Sequence, residues 1–177
     1  MKDLKEWVKF ALFAAVTAVC SQISIPLAPV PINLGTFAVI VTGVLCSTKI
    51  KFGGAVSILI YILLGAVGLP VFAGFRGGIG VLAGPTGGYI FGYIVMTLIY
   101  GYLYGTKKLQ NILVLILGNV LLYICGTIWF IILTGNGLIP ALMMCVVPFL
   151  IGDALKIAAA YIIITKLRWN FNGKHRN

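Results

Sequence analysis

Long uncharged runs constrain this chain more than any other feature. No charged residue occurs from Phe10 to Thr48, from Phe52 to Phe75, from Gly77 to Thr106 or from Leu109 to Gly152. Of the 177 residues, 61% are apolar and 9% charged, against roughly 25% charged in an ordinary soluble domain. So few charges cannot coat a water-facing surface, and the solvent for most of this chain is therefore lipid. At about 20 residues per spanning helix, the length permits six crossings joined by short loops. The apolar residues come in runs without period-two alternation, which disfavours a β-barrel. The expected fold is an all-α integral membrane protein with six transmembrane helices. It is expected to form a single transmembrane domain over residues 1–177, multi-pass in the cell membrane.

Breakers divide the runs. Helices are expected over 7–25, 34–47, 52–69, 89–104, 111–133 and 148–166. Pro26, Pro29 and Pro31 end the first helix in an extended segment. A Gly-rich connection over 70–88 holds one charge, Arg76. Gly135-Asn136-Gly137 turns the chain again. The stretch 138–165 is too long for one untilted helix and contains Pro140 and Pro148, so it divides into a short helical piece and the final helix. The N-terminal run is read as a retained first helix, because Asp3 and Glu6 interrupt its basic flank and no clear cleavage site appears before Ile25.

With the loops alternated, Lys2, Lys5, Lys9, Lys49, Lys51, Lys107, Lys108, Lys166, Arg168, Lys174 and Arg176 fall on one side. By the positive-inside rule that side is cytoplasmic, and both termini lie there. The same scatter argues against nucleic acid as a partner despite the net charge of +10, since basic residues are not clustered on a polar face. Cys20, Cys46, Cys125 and Cys145 lack metal or disulfide spacing, and the single histidine, His175, is in the tail. They are read as small buried hydrophobes, and no metal or cofactor is expected.

Arg76, Asp153 and Lys156 do not fit the topology. A charge at mid-membrane costs about 2.5–3.5 kcal/mol on insertion scales and persists for a reason. Asp153 and Lys156 are three apart and share a helical face. They are either a packing ion pair or part of a ligand site. In the second reading, two cations and one anion leave a pocket of net charge +1, suited to a monoanion, with the carboxylate spare to accept ligand N–H groups. The glycines around Arg76 let backbone line such a cavity. An enzyme is disfavoured: carboxylates are too few for metal-dependent transfer, no nucleophile has a base, and no Walker A motif exists.

Gly84, Gly88 and Gly92 have the small-residue spacing of close helix packing, as do Gly101 and Gly105. Ala11 and Ala15 either do the same or form a smooth face for another membrane protein. Tyr100, Tyr102, Tyr104 and Trp169 are read as interfacial anchors.

The segments Ala28-Pro29-Val30-Pro31-Ile32, Thr36-Phe37-Ala38-Val39, Gly68-Leu69-Pro70-Val71-Phe72-Ala73-Gly74, Gly84-Pro85-Thr86-Gly87-Gly88-Tyr89 and Gly152-Asp153-x-x-Lys156 occur in that order. In this combination the chain resembles the BioY family, the biotin-binding S components of energy-coupling-factor (ECF) transporters. The resemblance implies a six-helix fold that takes biotin from outside. It also implies assembly with a transmembrane coupling protein and two cytoplasmic ATPase subunits. By position it implies that Arg76, Asp153 and Lys156 contact the ligand. Thr36 and the apolar Phe72, Tyr89 and Phe91 are expected to complete the site. Ala11 and Ala15 match the motif that meets the coupling protein. Many members carry Thr-x-Gln-Thr where this chain has Asn33-Leu34-Gly35-Thr36, so that glutamine has no counterpart here. The alternative is a structural or channel-like membrane protein in which Asp153 and Lys156 only bind helices together.

Overall fold

A computed structural model describes residues 2–25 and 30–173, with side chains from residue 4 to 168. Pro26, Pro29, Lys174, His175 and Arg176, and the Trp169 side chain, lie outside the described parts. The element order is α1 (Lys2–Gln22), β1 (Ser24–Ile25), β2 (Ile32–Asn33), α2 (Gly35–Cys46), α3 (Gly53–Ala66), α4 (Ile79–Ala83), α5 (Gly87–Leu103), α6 (Lys108–Thr134), α7 (Leu138–Cys145), a 3-10 turn Val147–Phe149, and α8 (Leu150–Gly173). Among the described residues, only α6 and the stretch 138–168 are long and apolar enough to cross a membrane on length and composition alone.

The expected helices are all present, with shifted ends. The first begins at Lys2 and stops at Gln22, because Ser24 and Ile25 pair antiparallel with Asn33 and Ile32 instead. The 70–88 connection is more ordered than its glycines suggested. It contains α4 and a tight hairpin in which Phe72 and Arg76 exchange backbone hydrogen bonds of 2.9 and 3.2 Å. Gly74 and Phe75 turn that hairpin with φ of 72° and 56°, a region glycine enters freely and phenylalanine rarely. At the last predicted break Pro140 occupies the first turn of α7, where its missing N–H is not needed. Pro148 occupies the 3-10 turn, and α8 then runs to Gly173, past the expected end at 166.

α2 is the hub. All of its residues but Phe37 are buried, and α1, α3, α5 and α8 pack around it. A helix apolar on every side is stable only when enclosed. Its 12 residues make about 18 Å of helix, well short of a hydrocarbon core of about 30 Å. α5 and α6 lie closest to one another, and glycine makes that possible. A Cβ on Gly126 would fall inside the Tyr89 ring, one on Gly88 would strike the Trp129 side chain, and one on Gly118 would strike Tyr100. Thus Gly88 and Gly92 serve helix packing as their spacing suggested. Gly84 instead accepts the Trp129 indole N–H at its carbonyl, 3.0 Å. Tyr100 is not an interfacial anchor: it is fully buried and donates to the Leu115 carbonyl at 3.1 Å. Tyr102 stays outside, with Lys51 over its ring.

The outer faces of the long helices remain apolar. Leu113, Ile116, Val120, Ile124 and Ile128 of α6, and Ile151, Leu155 and Ile162 of α8, are exposed. A surface of this kind belongs in lipid, since soluble proteins seldom expose apolar patches above a few hundred Å².

Candidate functional site

The end of the bundle that carries the 70–78 loop and the N-terminus of α2 encloses a cleft. Its atom-free space is ≈ 630 Å³, including open solvent at its mouth. Thr36 of α2, Tyr61 of α3, the loop residues Phe72 and Arg76, Tyr89 and Tyr93 of α5, Tyr123 of α6, and Asp153 and Lys156 of α8 all line it. Six elements therefore contribute to one cavity.

At the inner end, Asp153 is 4% exposed. Both of its oxygens are engaged: the Lys156 ammonium donates to Oδ1 at 2.8 Å, and the Tyr123 hydroxyl donates to Oδ2 at 2.6 Å. The expectation of a spare carboxylate is thereby corrected. Asp153 is paired, as the packing reading held, and it also faces the cavity, as the ligand reading held. The two are compatible because an ionised carboxylate has about four acceptor positions and an ammonium three donors. One bond from Lys156 and one from Tyr123 leave capacity on both members of the ion pair for a ligand.

The aromatic wall is set by packing. Phe72 is buried over Gly65, where any Cβ would enter its ring, and it meets Tyr61 edge-on with centroids 5.4 Å apart. The Tyr89 hydroxyl donates to the Cys145 carbonyl at 2.8 Å, so Tyr89 offers the cavity a ring face rather than a donor. Arg76 is exposed at the mouth, and its Nε donates to the Ala73 carbonyl at 3.1 Å. The charge count read from sequence thus holds for the lining, two cations and one anion, with Lys156 paired to Asp153 and Arg76 exposed.

Phe91 is not with them. It is 42% exposed and packs edge-on against Trp129 on the outside of the bundle. The reason is helical phase. Tyr89 and Tyr93 are four apart and share the inner face of α5, whereas a residue two along is rotated by about 200°. Ala11 and Ala15 are far from the cleft and exposed on the outer face of α1, while Phe10, Ala14, Thr17 and Ser21 form its buried face. The exposure of both alanines favours the second reading of the pair over internal packing.

Sequence reasoning missed Tyr61, Tyr93, Tyr123 and Asn33, all of which line the cleft. The sequence did carry a signal for Tyr123. Asn119, Tyr123 and Thr127 recur every four residues within the otherwise apolar stretch 112–133, which places a polar stripe on one face. Asn119 and Thr127 are buried with Oδ1 and Oγ1 unpartnered among the described residues.

Known proteins share this architecture. Residues 1–173 match the model of the BioY family. A probable biotin transporter BioY of Pyrococcus horikoshii is 42% identical over 166 residues, covering 94% of this chain and 98% of that protein. The biotin transporter BioY of Thermotoga maritima is 34% identical over 169 residues, covering 93% and 96%. The crystal structure of the S-component for biotin from an ECF-type ABC transporter superposes with a TM-score of 0.85 at 25% identity, covering 94% of this chain and 92% of that one.

Proposed function

The chain belongs to the BioY family, and from that premise we propose that it is the substrate-capture subunit of an ECF-type ABC transporter for biotin. It binds biotin in the cleft and carries it into a complex whose partners are a transmembrane coupling protein and two cytoplasmic ATPase subunits. It is not itself an enzyme. The observation that carries this reading is the mixed lining of one cleft: a buried Asp153–Lys156–Tyr123 cluster, aromatic walls, and an exposed Arg76.

Biotin has matching parts. Its ureido group has two N–H donors and one carbonyl acceptor, which suit the remaining acceptor positions of Asp153 and the remaining donors of Lys156. The thioether ring and aliphatic chain lie against Phe72 and Tyr89, and Thr36 completes the wall. The carboxylate, the group most costly to desolvate, stays at the mouth with Arg76. The exposed Ala11–Ala15 face of α1 is the surface offered to the coupling protein.

Purified wild-type protein in detergent is expected to bind labelled biotin saturably, one molecule per chain, and to release it to excess unlabelled biotin. A protein that is monodisperse and folded yet binds none would end this reading.

The same proposal includes six spans, with α7 and α8 as the sixth, and both termini cytoplasmic. Lys49, Lys51, Lys107 and Lys108 then face the cytoplasm and Asn136 the outside. On a background lacking native cysteines, Asn136→Cys should react in intact cells with an impermeant maleimide, and Lys107→Cys only after permeabilisation. Labelling of Lys107→Cys from outside would reverse the topology.

A further inference from the structure

We propose that the Asn33 carboxamide is a ligand-binding donor that holds the carboxylate of the bound anion beside Arg76, and that Gly35 is the residue that lets it do so. This rests on the reading of the cleft as a biotin site and adds to it a residue and a contact.

The geometry leaves the amide one useful orientation. Asn33 ends β2 and is fixed in register by pairing with Ser24. Its Oδ1 accepts the Gly35 backbone N–H at 2.9 Å. Turning the amide over would set its NH2 against that N–H, donor against donor. Oδ1 is therefore committed to the start of α2, which leaves Nδ2 as the polar atom free for the cleft that Asn33 lines. Among the described residues, its only side-chain hydrogen bond is the one through Oδ1. A carboxamide NH2 held in this way calls for an acceptor on the ligand.

Position 35 has to be glycine for this arrangement. A Cβ there would lie 2.6 Å from Ser21 Oγ and 2.9 Å from Asn33 Oδ1, closer than real side chains approach one another. Ser21 has little freedom to give way, because it donates to the Thr17 carbonyl at 2.8 Å and lies 3.2 Å from the Tyr61 hydroxyl. Any side chain at 35 would push the Asn33 carboxamide out of its pose.

The acceptor is assigned to the carboxylate because one segment holds both the strand of Asn33 and the hairpin of Arg76. Gln22, the last residue of α1, accepts the Phe75 N–H at 2.8 Å and donates to the Pro70 carbonyl at 3.3 Å. The adjacent Ile23 carbonyl accepts the Leu34 N–H at 2.9 Å. One short segment therefore ties down both the strand bearing Asn33 and the hairpin bearing Arg76. The two donors therefore sit on pieces of backbone bound to the same segment, and both are less buried than Asp153.

Asn33→Asp separates this from a structural role. The aspartate keeps an oxygen for Gly35 N–H and changes only what faces the ligand, from a donor to an anionic acceptor. Binding of biotin and of biotinamide, whose terminal NH2 can donate, is measured for both proteins in detergent with thermal unfolding alongside. Biotin affinity is expected to fall about 10- to 100-fold, the range for a hydrogen bond to a charged group. Biotinamide should lose much less. Gly35→Ala should lose biotin affinity similarly while the protein stays folded. If Asn33→Asp does not fold, Asn33→Ala serves, with about a tenfold loss for biotin expected. Wild-type biotin affinity in the folded Asn33 variant would overturn the proposal. So would an equal loss of biotin and biotinamide in Asn33→Asp, which would put the contact elsewhere than the carboxylate. A wild-type protein that binds no biotin would instead overturn the parent reading.

Discussion

Asp153→Asn should reduce both biotin affinity and the stability of the empty protein, and the two losses should be separable. The affinity loss is expected at about 1.5–3 kcal/mol, the range for hydrogen bonds to charged groups, because the amide presents an NH2 where the ureido N–H groups need an acceptor. The stability loss has another origin. The Lys156 side chain is 10% exposed, and Asp153 is its only ion-pair partner among the described residues. Removing the countercharge strands a buried ammonium, a change that costs about 3–5 kcal/mol. Adding Lys156→Met removes the stranded charge, so the double variant should regain thermal stability. In that background the Tyr123 hydroxyl can still donate to the carbonyl oxygen of the introduced amide, so the cleft keeps its shape. Biotin affinity should stay low, because both the acceptor and the donor for the ureido group have gone. If the double variant bound biotin as tightly as wild type, Asp153 and Lys156 would be packing residues only. The structural or channel-like alternative would then be the better account of this pair.

The second large effect is expected far from the ligand. Ala11→Trp combined with Ala15→Trp should leave biotin binding in detergent unchanged, abolish co-purification with the coupling protein and ATPases, and abolish uptake by cells. Both alanines are exposed, on the outer face of α1. Leu4, Val8, Leu12 and Val19 on the same face are also exposed, so the two alanines form a notch between larger side chains. Lipid fills such a notch without preference, whereas a partner helix pressed into it gains close backbone contact. Indole rings there lie on the exposed face of α1 and not in a packed core, so the overpacking cost of about 1–3 kcal/mol expected inside a core does not arise. The same bulk blocks a helix from docking. A variant that misfolds would mean that this face packs internally after all. One that still assembles and transports would place the docking surface elsewhere.

Much of the molecule was legible before any coordinates. Charge-free runs of this length can only be stable in lipid, and punctuation by Pro, Gly and paired lysines located every long helix, with ends off by several residues. The three charges outside the lysine pattern, Arg76, Asp153 and Lys156, line one cleft. The i,i+3 spacing of Asp153 and Lys156 already implied a shared face. The segments shared with a known family added Thr36, Phe72 and Tyr89, which line the same cleft.

What the chain could not show in one dimension was which way each helix faces. In a soluble helix a polar side marks the exterior and so sets the rotation about the axis. In lipid the inner and outer faces are equally apolar, and an all-apolar helix has no such marker. For that reason Phe91 was as eligible as Tyr89, and the orientation of Ala11 and Ala15 stayed open. Packing of small residues decided the matter: Gly88 and Gly126 bring α5 onto α6 and turn Tyr89 inward and Phe91 outward. The contacts that complete the cleft, Tyr123 on Asp153 and the Asn33 amide set by Gly35, join residues on different elements or depend on the space a neighbouring helix leaves. Composition and spacing determined that this is a helical membrane protein with buried charges to explain, and only the packed helices determined which side chains meet around them.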